Sequence, residues 1–406
     1  MQTGWRLGSL FGIPLFLDPL WFFILALATL NFGFAYMQWG AVLAWSGGLV
    51  MALLLFSSVL LHELGHSLVA RSQGIQVNSI TLFLFGGIAA IEEESKTPGQ
   101  AFQVAIAGPV VSIMLFLLLT LLSQVLPGAS PASVMIADLA KINLVLALFN
   151  LIPGLPLDGG QVLKATVWQV TGNRFQAVRW AARAGQILGW LAIALGLAVD
   201  FFTGELVSAI WIALLGWFGI RNASAYNRVT NLQEALLQLV ATDAMTHDFR
   251  VVDADQKLRQ FADLYLLETA TPQVYFAASD GRYRGMVAVD ELRSVERSQW
   301  ESQTLHSIVH SLSTIPTVEE STSLVDVVNK LEAQQLPRIT VLSPAGAVAG
   351  IIDRGDIVRA LGEKLNLKFS EAEIKRLKEE GSYPPGLQLQ AIAKAAKPFS
   401  SNSENS

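Results

Sequence analysis

Residues 56–71 read FSSVLLHELGHSLVAR, and this stretch decides the fold because it combines an apolar helix with two histidines and a glutamate. His62 and His66 stand four residues apart, so a helix places them on one face, where both can bind the same metal ion. Glu63 lies about 100° around the helix from His62, where a carboxylate can take a proton from a metal-activated water. The pattern His-Glu-x-x-His is the zinc hydrolase motif.

The composition indicates a membrane protein. Hydrophobic residues make up 52% of the 406 residues and charged residues 15%, whereas soluble proteins carry about 25% charge. The mean hydropathy is +0.44, and the apolar residues come in long blocks. We therefore expect an α-helical polytopic membrane protein, in which an ionisable side chain within a span marks a functional site. The net charge of −5 is spread along the chain and argues against a nucleic-acid partner.

Six blocks predict transmembrane helices, since about 20 apolar residues are needed to cross the hydrocarbon core. They run from Pro19 to Met37, Trp39 to Arg71, Gln100 to Leu126, Ala132 to Leu151, Phe175 to Val199, and Thr203 to Ile220. Residues 127–131 predict a turn between the third and fourth spans. The N-terminal apolar run is broken by Pro and Gly and lacks a small-residue cleavage pattern, so we expect no removable signal peptide.

Basic residues predict the orientation of these spans. They cluster at the ends that six spans would place on one side of the membrane: Arg71, Lys164, Arg174, Arg179, Arg183, Arg221 and Arg228. The opposite loops are almost free of Lys and Arg, so both termini are predicted in the cytoplasm. The metal site then lies inside the cell membrane, in contact with the lipid bilayer and nearer its inner face.

Residues 74–94 are rich in β-branched and aromatic side chains and are interrupted by Gly86-Gly87, which predicts two short strands. A sheet edge is not tolerated against lipid, so this hairpin must be covered by protein. An edge that faces the metal could pair with an extended substrate. The alternative is a cytoplasmic hairpin with no role in the chemistry.

Residues 150–161 read NLIPGLPLDGGQ and end the fourth span. Asp-Gly alone usually marks a turn, but here it returns to the depth of His62 and His66. A catalytic zinc needs three protein ligands and an open position for water. The chain has no cysteine, which also excludes disulfides, and its other histidines lie beyond the last span: His247, His306 and His310. Asp158 is therefore the best available third ligand, and Gly159-Gly160 would let the backbone turn tightly beside it.

The chain resembles the site-2 protease family of intramembrane zinc metalloproteases over roughly residues 1–225. The resemblance rests on His62-Glu63-Leu64-Gly65-His66 and Asn150…Pro153…Pro156…Asp158-Gly159-Gly160, with further matches at Phe85-Gly86-Gly87 and Ala107-Gly108-Pro109. It implies one Zn2+ per chain with His62, His66 and Asp158 as ligands, and Glu63 as the catalytic base. It also implies that Asn150 is catalytic, holding the substrate or the oxyanion; the alternative role for Asn150 is a helix C-cap.

From about Leu232 the composition becomes that of a soluble α/β domain with two similar units, residues 241–290 and 305–357. They resemble a tandem CBS pair that covers about residues 232–362. Such pairs often bind an adenosine nucleotide, and by this resemblance Asp356 meets its ribose, although Ala288 and Asp353 stand where the usual hydroxyl residue belongs. The alternative is a module that gates substrate or forms a homodimer without a ligand.

The predicted domains are residues 1–225, 232–362 and 363–406. The last contains a helix opened by the capping box Ser370–Glu373 and closed by Gly381, then a disordered Ser/Asn-rich tail from about Pro398. The resemblance implies regulated intramembrane proteolysis of membrane-spanning substrates, such as anti-sigma factors or membrane-bound regulators. A CBS-gated metal or ion transporter is the alternative, although a transporter does not need Glu63. An inactive scaffolding relative would lack a ligand or the base.

Overall fold

The computed structural model describes residues 4–83, 86–91, 95–126, 128, 130–266, 274–384, 387 and 389–400. Phe85 of the predicted hairpin, Pro127 of the predicted turn and residues 401–406 of the predicted tail lie outside this part of the chain. Internal contacts divide the protein into two compact units, Met1–Thr230 and Asn231–Ser406.

Long apolar helices build the first unit. They are α1 (Leu20–Ala35), α2 (Ala41–Ser72), α3 (Pro98–Val125), α4 (Pro131–Asn150), α5 (Asp158–Thr171), α6 (Arg174–Thr203) and α7 (Leu206–Gln238). In the described part of the chain, five of these are long and apolar enough to cross a membrane: α2, α3, α4, α6 and α7. Five of the six predicted spans are thus present at full length, which makes the protein a multi-pass membrane protein.

The first predicted span is shorter than expected. Helix α1 has 16 residues, or about 24 Å at 1.5 Å per residue, against a hydrocarbon core of about 30 Å. It stops before Met37 because the chain tightens into a 3-10 turn, Met37–Trp39, and then passes through Gly40 at a φ of 84°. An apolar count alone could not detect this early end.

Helices α1 and α2 approach closely at a pair of glycines. A Cβ atom added to Gly48 of α2 would lie 2.7 Å from both the Gly33 amide nitrogen and the Thr29 carbonyl oxygen of α1. Membrane helices usually associate through close backbone contact at small residues, because the hydrophobic effect does not drive helix association in lipid. Gly48 therefore holds α1 against the helix that carries the two histidines.

A sheet of four described strands lies on α2. Its order is β1 (Trp5–Leu10), β2 (Ile13–Leu17), β3 (Val77–Phe83) and β4 (Gly86–Ile91). The predicted pair of strands around Gly86-Gly87 is confirmed as the antiparallel pair β3 and β4. The β1–β2 hairpin was not predicted, and its β2 strand pairs in parallel with β3. Ile13, Leu64 and Ile80 pack together and join this sheet to α2.

Helix α5 was also not predicted; sequence analysis placed no helix between the fourth and fifth spans. The segment before it folds back onto α6, where the Leu155 amide donates to the Ala181 carbonyl at 3.2 Å. Gly159 and Gly160 are needed here because of space. A Cβ on Gly159 would meet the Leu151 carbonyl oxygen at 2.2 Å, and one on Gly160 the Gly154 carbonyl carbon at 2.3 Å. The two glycines thus allow α5 to begin directly beneath the end of α4.

The second unit contains the same order of elements twice. The first half has β5 (Phe249–Asp253), β6 (Val274–Ser279) and β7 (Arg282–Val287), preceded by α8 (Ala241–Ala244), with α9 (Leu258–Phe261) after β5 and β8 (Val309–Ser311) at the edge. The second half has β9 (Thr317–Glu319), α10 (Leu324–Ala333), β10 (Arg338–Leu342), β11 (Val348–Asp353) and α11 (Arg354–Leu365). In each half the first strand is parallel to the second, which is antiparallel to the third. The predicted pair of similar α/β units is confirmed.

Two further helices, α12 (Glu371–Glu380) and α13 (Leu389–Ser400), complete the second unit. Ile374 and Leu377 of α12, and Leu389 and Ile392 of α13, are buried in the same core as α10 and α11. The segment that sequence analysis separated at residue 363 therefore packs into this unit. Helix α13 also includes residues 398–400, which had been assigned to the tail.

We expect Gly48→Ala to lower the free energy of unfolding by about 1–3 kcal/mol, because the new methyl group meets backbone atoms that cannot rotate away. Gly47→Ala is the matched control, since its Cβ would make ordinary contacts of 3.6–3.7 Å with Trp39, Met135 and Tyr36. Thermal unfolding of the full chain in detergent measures both variants. Equal stability of the two would contradict the close α1–α2 contact.

Candidate metal centre

Three side chains converge between α2 and the start of α5. The Asp158 Oδ2 atom lies 3.0 Å from His62 Nε2 and 3.3 Å from His66 Nε2, and the two Nε2 atoms are 3.4 Å apart. A tetrahedral zinc with bonds of about 2.0–2.1 Å holds its donor atoms about 3.3–3.4 Å from one another. The three atoms are thus spaced as one face of a zinc coordination tetrahedron.

Bonds on the far sides of the two imidazoles orient the rings. His62 Nδ1 lies 2.9 Å from the Ser112 hydroxyl oxygen, and His66 Nδ1 donates to the Val104 carbonyl oxygen at 2.6 Å. A neutral imidazole that donates from Nδ1 has a bare lone pair on Nε2. The Val104 carbonyl selects this tautomer for His66, and the Ser112 hydroxyl can accept the same bond from His62. In that state two lone pairs and a carboxylate oxygen face one point, where a cation would relieve their repulsion. The donor set therefore fits a metal ion.

Gly108 of α3 makes room for this group. A Cβ atom at that position would lie 2.2 Å from His66 Nε2 and 2.6 Å from His62 Nε2. The motif Ala107-Gly108-Pro109 is explained by this contact, since only glycine leaves space in front of the two nitrogens. Helix α3 thus supplies both the floor of the site and, through Ser112 and Val104, the bonds that orient the rings.

Asp158 is the first residue of α5 and is partly exposed, whereas His62 and His66 are buried. Its position follows from the fold-back at Gly159-Gly160. A carboxylate in the first turn of a helix also faces the positive end of the helix dipole, which stabilises its charged form. The predicted third ligand is therefore brought to the two histidines by local backbone geometry.

Glu63 and Asn150 border the same group. Glu63 is half-buried against β4, so that a Cβ added to Gly87 would lie 2.4 Å from the Glu63 Cγ atom. Asn150 is the last residue of α4, and its Nδ2 lies 3.5 Å from His62 Nε2. The C-cap position belongs to Leu151. The Asn150 side chain is thus directed at the candidate site, and the alternative C-cap role is not seen.

Sequence reasoning missed the two partners on α3. Ser112 is fully buried, and a serine in the middle of an apolar span is a signal that could have been used, because buried hydroxyls need a partner. The Val104 carbonyl carries no sequence signal, since any residue type would supply it. In the described part of the chain, His62, His66 and Asp158 are the one group of three such residues whose ligand atoms all lie within 4.8 Å.

Asp356 lies in the second unit, with its side chain fully buried at the start of α11. Its Oδ1 atom is 2.8 Å from Lys378 Nζ of α12 and 3.2 Å from an Arg359 guanidinium nitrogen. Two of the three distal histidines are paired with acids: His306 with Asp255 at 3.0 Å and His310 with Glu291 at 2.7 Å. The carboxylate that was expected to meet a ribose is therefore occupied by a lysine of the same chain.

Comparison with known proteins gives matches to both units of the chain. A model of Peptidase family M50 matches residues 50–138 and 129–193, and a CBS domain model matches residues 309–363. The chain is 43% identical over 365 residues to the candidate zinc metalloprotease sll0528 of Synechocystis sp., covering 89% of this chain and 96% of that protein. It is 29% identical over 315 residues to zinc metalloprotease MJ0392 of Methanocaldococcus jannaschii, covering 77% and 85% respectively.

Among solved structures, the site-2 protease from Methanocaldococcus jannaschii is similar to 55% of this chain and covers 95% of its own, at 30% identity and a TM-score of 0.40. The family matches favour the protease over the transporter that sequence analysis left open. The identity to the Synechocystis protein extends over nearly the whole length of both chains. This chain therefore belongs to Peptidase family M50, the site-2 protease family, and is a membrane zinc metalloprotease that carries a CBS domain.

Proposed function

We propose that the protein hydrolyses peptide bonds within or near the transmembrane segments of other membrane proteins. The observation that carries this proposal is the convergence of His62, His66 and Asp158 between apolar helices, with Glu63 beside them. These three side chains would hold one zinc ion per chain. When bound, zinc supplies a Lewis acid that activates water and polarises a carbonyl group.

Glu63 is the proposed general base. Its carboxylate takes a proton from the attacking water and then delivers it to the nitrogen of the leaving amine. Its contact with the β4 backbone at Gly87 limits the positions that the side chain can adopt. Asn150 has a donor Nδ2 atom near the same point, and we assign it to the carbonyl oxygen, on which negative charge develops during the attack.

The proposed substrate binds as an added strand on β4. The substrate helix must unwind around the scissile bond first, because the carbonyl groups of a helix are already hydrogen-bonded. Among the described strands, β4 pairs with β3 alone, so its other edge has no partner strand. An extended peptide on that edge would run beside Glu63. We therefore expect membrane-spanning substrates with weak helices, and membrane-bound regulators such as anti-sigma factors are the class implied by the family resemblance.

The orientation remains a proposal based on charge. Arg71 stands at the end of α2 and Arg174 at the start of α6, whereas Lys164 lies within α5, and Arg221 and Arg228 lie within α7 beyond the predicted sixth span. Sequence analysis assigned these residues to one side, and the positive-inside rule makes that side the cytoplasm. With this orientation both termini are cytoplasmic in the cell membrane.

For the second unit we propose that an adenosine nucleotide at Asp356 must compete with α12. Burial and the Asp353 carboxylate raise the pKa of Asp356 to about 6, and Lys378 partly offsets the rise. Burial alone would lower the pKa of Lys378, but Asp356, Asp353 and Asp248 outweigh burial and leave the pKa of Lys378 above its ordinary value. The ammonium group thus supplies the charge that this carboxylate needs, and a ribose hydroxyl supplies none.

The cleavage test compares the wild type with Glu63→Gln. Both proteins are expected to bind one zinc per chain, since glutamine keeps the shape of the side chain. Cleavage of a panel of single-span reporter proteins in proteoliposomes is expected to fall about 100- to 10,000-fold in Glu63→Gln, because the general base is lost.

Glu205→Gln, in the connection between α6 and α7, is the control and should cleave like the wild type. Undiminished cleavage by Glu63→Gln would remove Glu63 from the base role. A wild-type protein that cannot be loaded with zinc would overturn the proposed site itself.

Gly108→Ala is expected to abolish zinc binding, because its methyl carbon would lie 2.2 Å from His66 Nε2, where the metal bond must form. Gly99→Ala on the same helix is the control, since its added Cβ would have no atom within 4 Å. Elemental analysis of the purified proteins gives the zinc content per chain. A full complement of zinc in Gly108→Ala would mean that the histidines bind metal elsewhere.

Lys378→Met is expected to destabilise the region around α11 and α12 by about 3 kcal/mol at pH 8, the low end for breaking a buried ion pair, because Arg359 remains. Since the folded pKa of Asp356 is raised to about 6, the carboxyl is protonated at pH 4–5 and needs no cation there. The difference from the wild type should therefore be small at pH 4–5 and grow as the pH rises above about 6.

Hydrogen exchange of residues 353–380 in the full chain at several pH values measures this difference. Lys375→Met is the control, because Lys375 is an exposed α12 residue 4.0 Å from Glu379 and exposed pairs contribute about 1 kcal/mol at most. A pH-independent loss in Lys378→Met would contradict the assignment to Asp356.

A further inference from the structure

A buried amide–hydroxyl contact joins α2 and α4 one helical turn from the candidate metal ligands. Asn143 of α4 is fully buried, and its Nδ2 donates to the Ser58 hydroxyl oxygen of α2 at 3.0 Å. The same amide also donates to the Leu139 carbonyl of its own helix at 2.9 Å. Ser58 is 4% exposed. Neither side chain has a role in the proposed chemistry.

This polar contact costs free energy in an interface between two apolar helices. In the part of the chain that the structure describes, the Asn143 Oδ1 atom is buried without a hydrogen-bond partner. An unsatisfied polar atom away from water costs free energy, whereas a leucine of similar size would incur no such cost. Helix packing alone therefore does not account for an asparagine at this position.

What the contact can supply is a defined register between the two helices. Apolar side chains allow two helices to slide along each other at little cost, but a hydrogen bond between fixed positions selects one register, as a single buried asparagine does in coiled coils. Ser58 and His62 are four residues apart on α2, and Asn143 and Asn150 are seven apart on α4. Both spacings keep the pair on one helix face. Asn143–Ser58 and Asn150–His62 thus form successive contacts between the same two helices.

The register of α4 matters because α4 carries Asn150 and leads directly to Asp158. A slip of one residue would move Asn150 by about 1.5 Å along the helix axis relative to His62. A misplacement of about 1 Å in a catalytic group can lower the rate about 100-fold. Ala147, between the two contacts on α4, is fully buried and small enough for the helices to remain close.

We propose that Asn143 and Ser58 are positioning residues that fix the depth of α4 against α2, and thereby hold Asn150 and Asp158 at His62. The inference rests on the proposed function for its catalytic consequence. Its effect on metal binding is independent of any substrate, because Asp158 belongs to the metal group. The pair therefore acts on both zinc affinity and turnover.

The test uses Asn143→Leu, Ser58→Ala and the double variant in the full chain. Asn143→Leu is expected to keep or raise the thermal unfolding temperature, because it removes an unsatisfied polar atom. Zinc affinity, from competition with a chelator, and kcat on a reporter are each expected to fall about 10- to 100-fold, with KM little changed. The visible absorption bands of Co2+ loaded in place of zinc should also shift, since they report the ligand geometry.

Ser58→Ala should have the same effects, and the double variant should be no worse than either single variant, because each change breaks the same bond. Ser57→Ala and Asn222→Leu are matched controls. Each of these side chains donates to a carbonyl of its own helix, Leu53 at 2.9 Å and Phe218 at 2.8 Å respectively. Both controls should bind zinc and cleave like the wild type.

Unchanged zinc affinity and cobalt spectra in both single variants would overturn the positioning role, whether or not any reporter is cleaved. Additive losses in the double variant, or losses that only follow a fall in stability, would also overturn it. If the wild type binds zinc and cleaves no reporter while the variants still lose zinc affinity, the protease proposal fails and the positioning role stands.

Discussion

Two imidazole nitrogens and a carboxylate oxygen lie 3.0–3.4 Å from one another inside a bundle of apolar helices, and the first unit is built around this arrangement. In such surroundings their mutual repulsion is not screened by water, so the donors must be fixed from behind. Ser112 and the Val104 carbonyl provide this on α3, and the fold-back before α5 provides it for Asp158. The same low polarity strengthens the attraction between these donors and a bound cation.

Close backbone approach is the means by which the fold meets this requirement. Gly108 admits the two imidazoles, Gly159 and Gly160 admit the end of α4, and Gly87 admits the Glu63 side chain. At each position a single methyl group would collide with a functional side chain or its supporting backbone. These glycines are therefore explained by space rather than by unusual backbone angles. Gly87 and Gly108 bring β4 and α3 against α2, and Gly159 and Gly160 bring the start of α5 against the end of α4.

The sequence predicted what depends on local spacing and missed what depends on distant pairing. His62, Glu63 and His66 follow from helical periodicity, and Asp158 follows from elimination among the available ligands. The β1–β2 hairpin was missed because β2 gains its place only by pairing with β3, more than sixty residues later. Ser112 was missed because its role depends on which helix faces His62. Helices α12 and α13 were separated from the second unit because their amphipathic faces say nothing about the surface that covers them.

Among the described strands, β4 pairs with β3 alone, so its other edge has no partner strand. A strand edge at membrane depth cannot face lipid, because its amide and carbonyl groups would remain unsatisfied. Only water or another extended backbone can satisfy them, and these are the two reactants of peptide hydrolysis. Since β4 also packs against Glu63, whatever satisfies this edge lies next to the proposed base. The polar requirement of an unpaired strand is thus consistent with the proposed binding of a substrate strand at this edge.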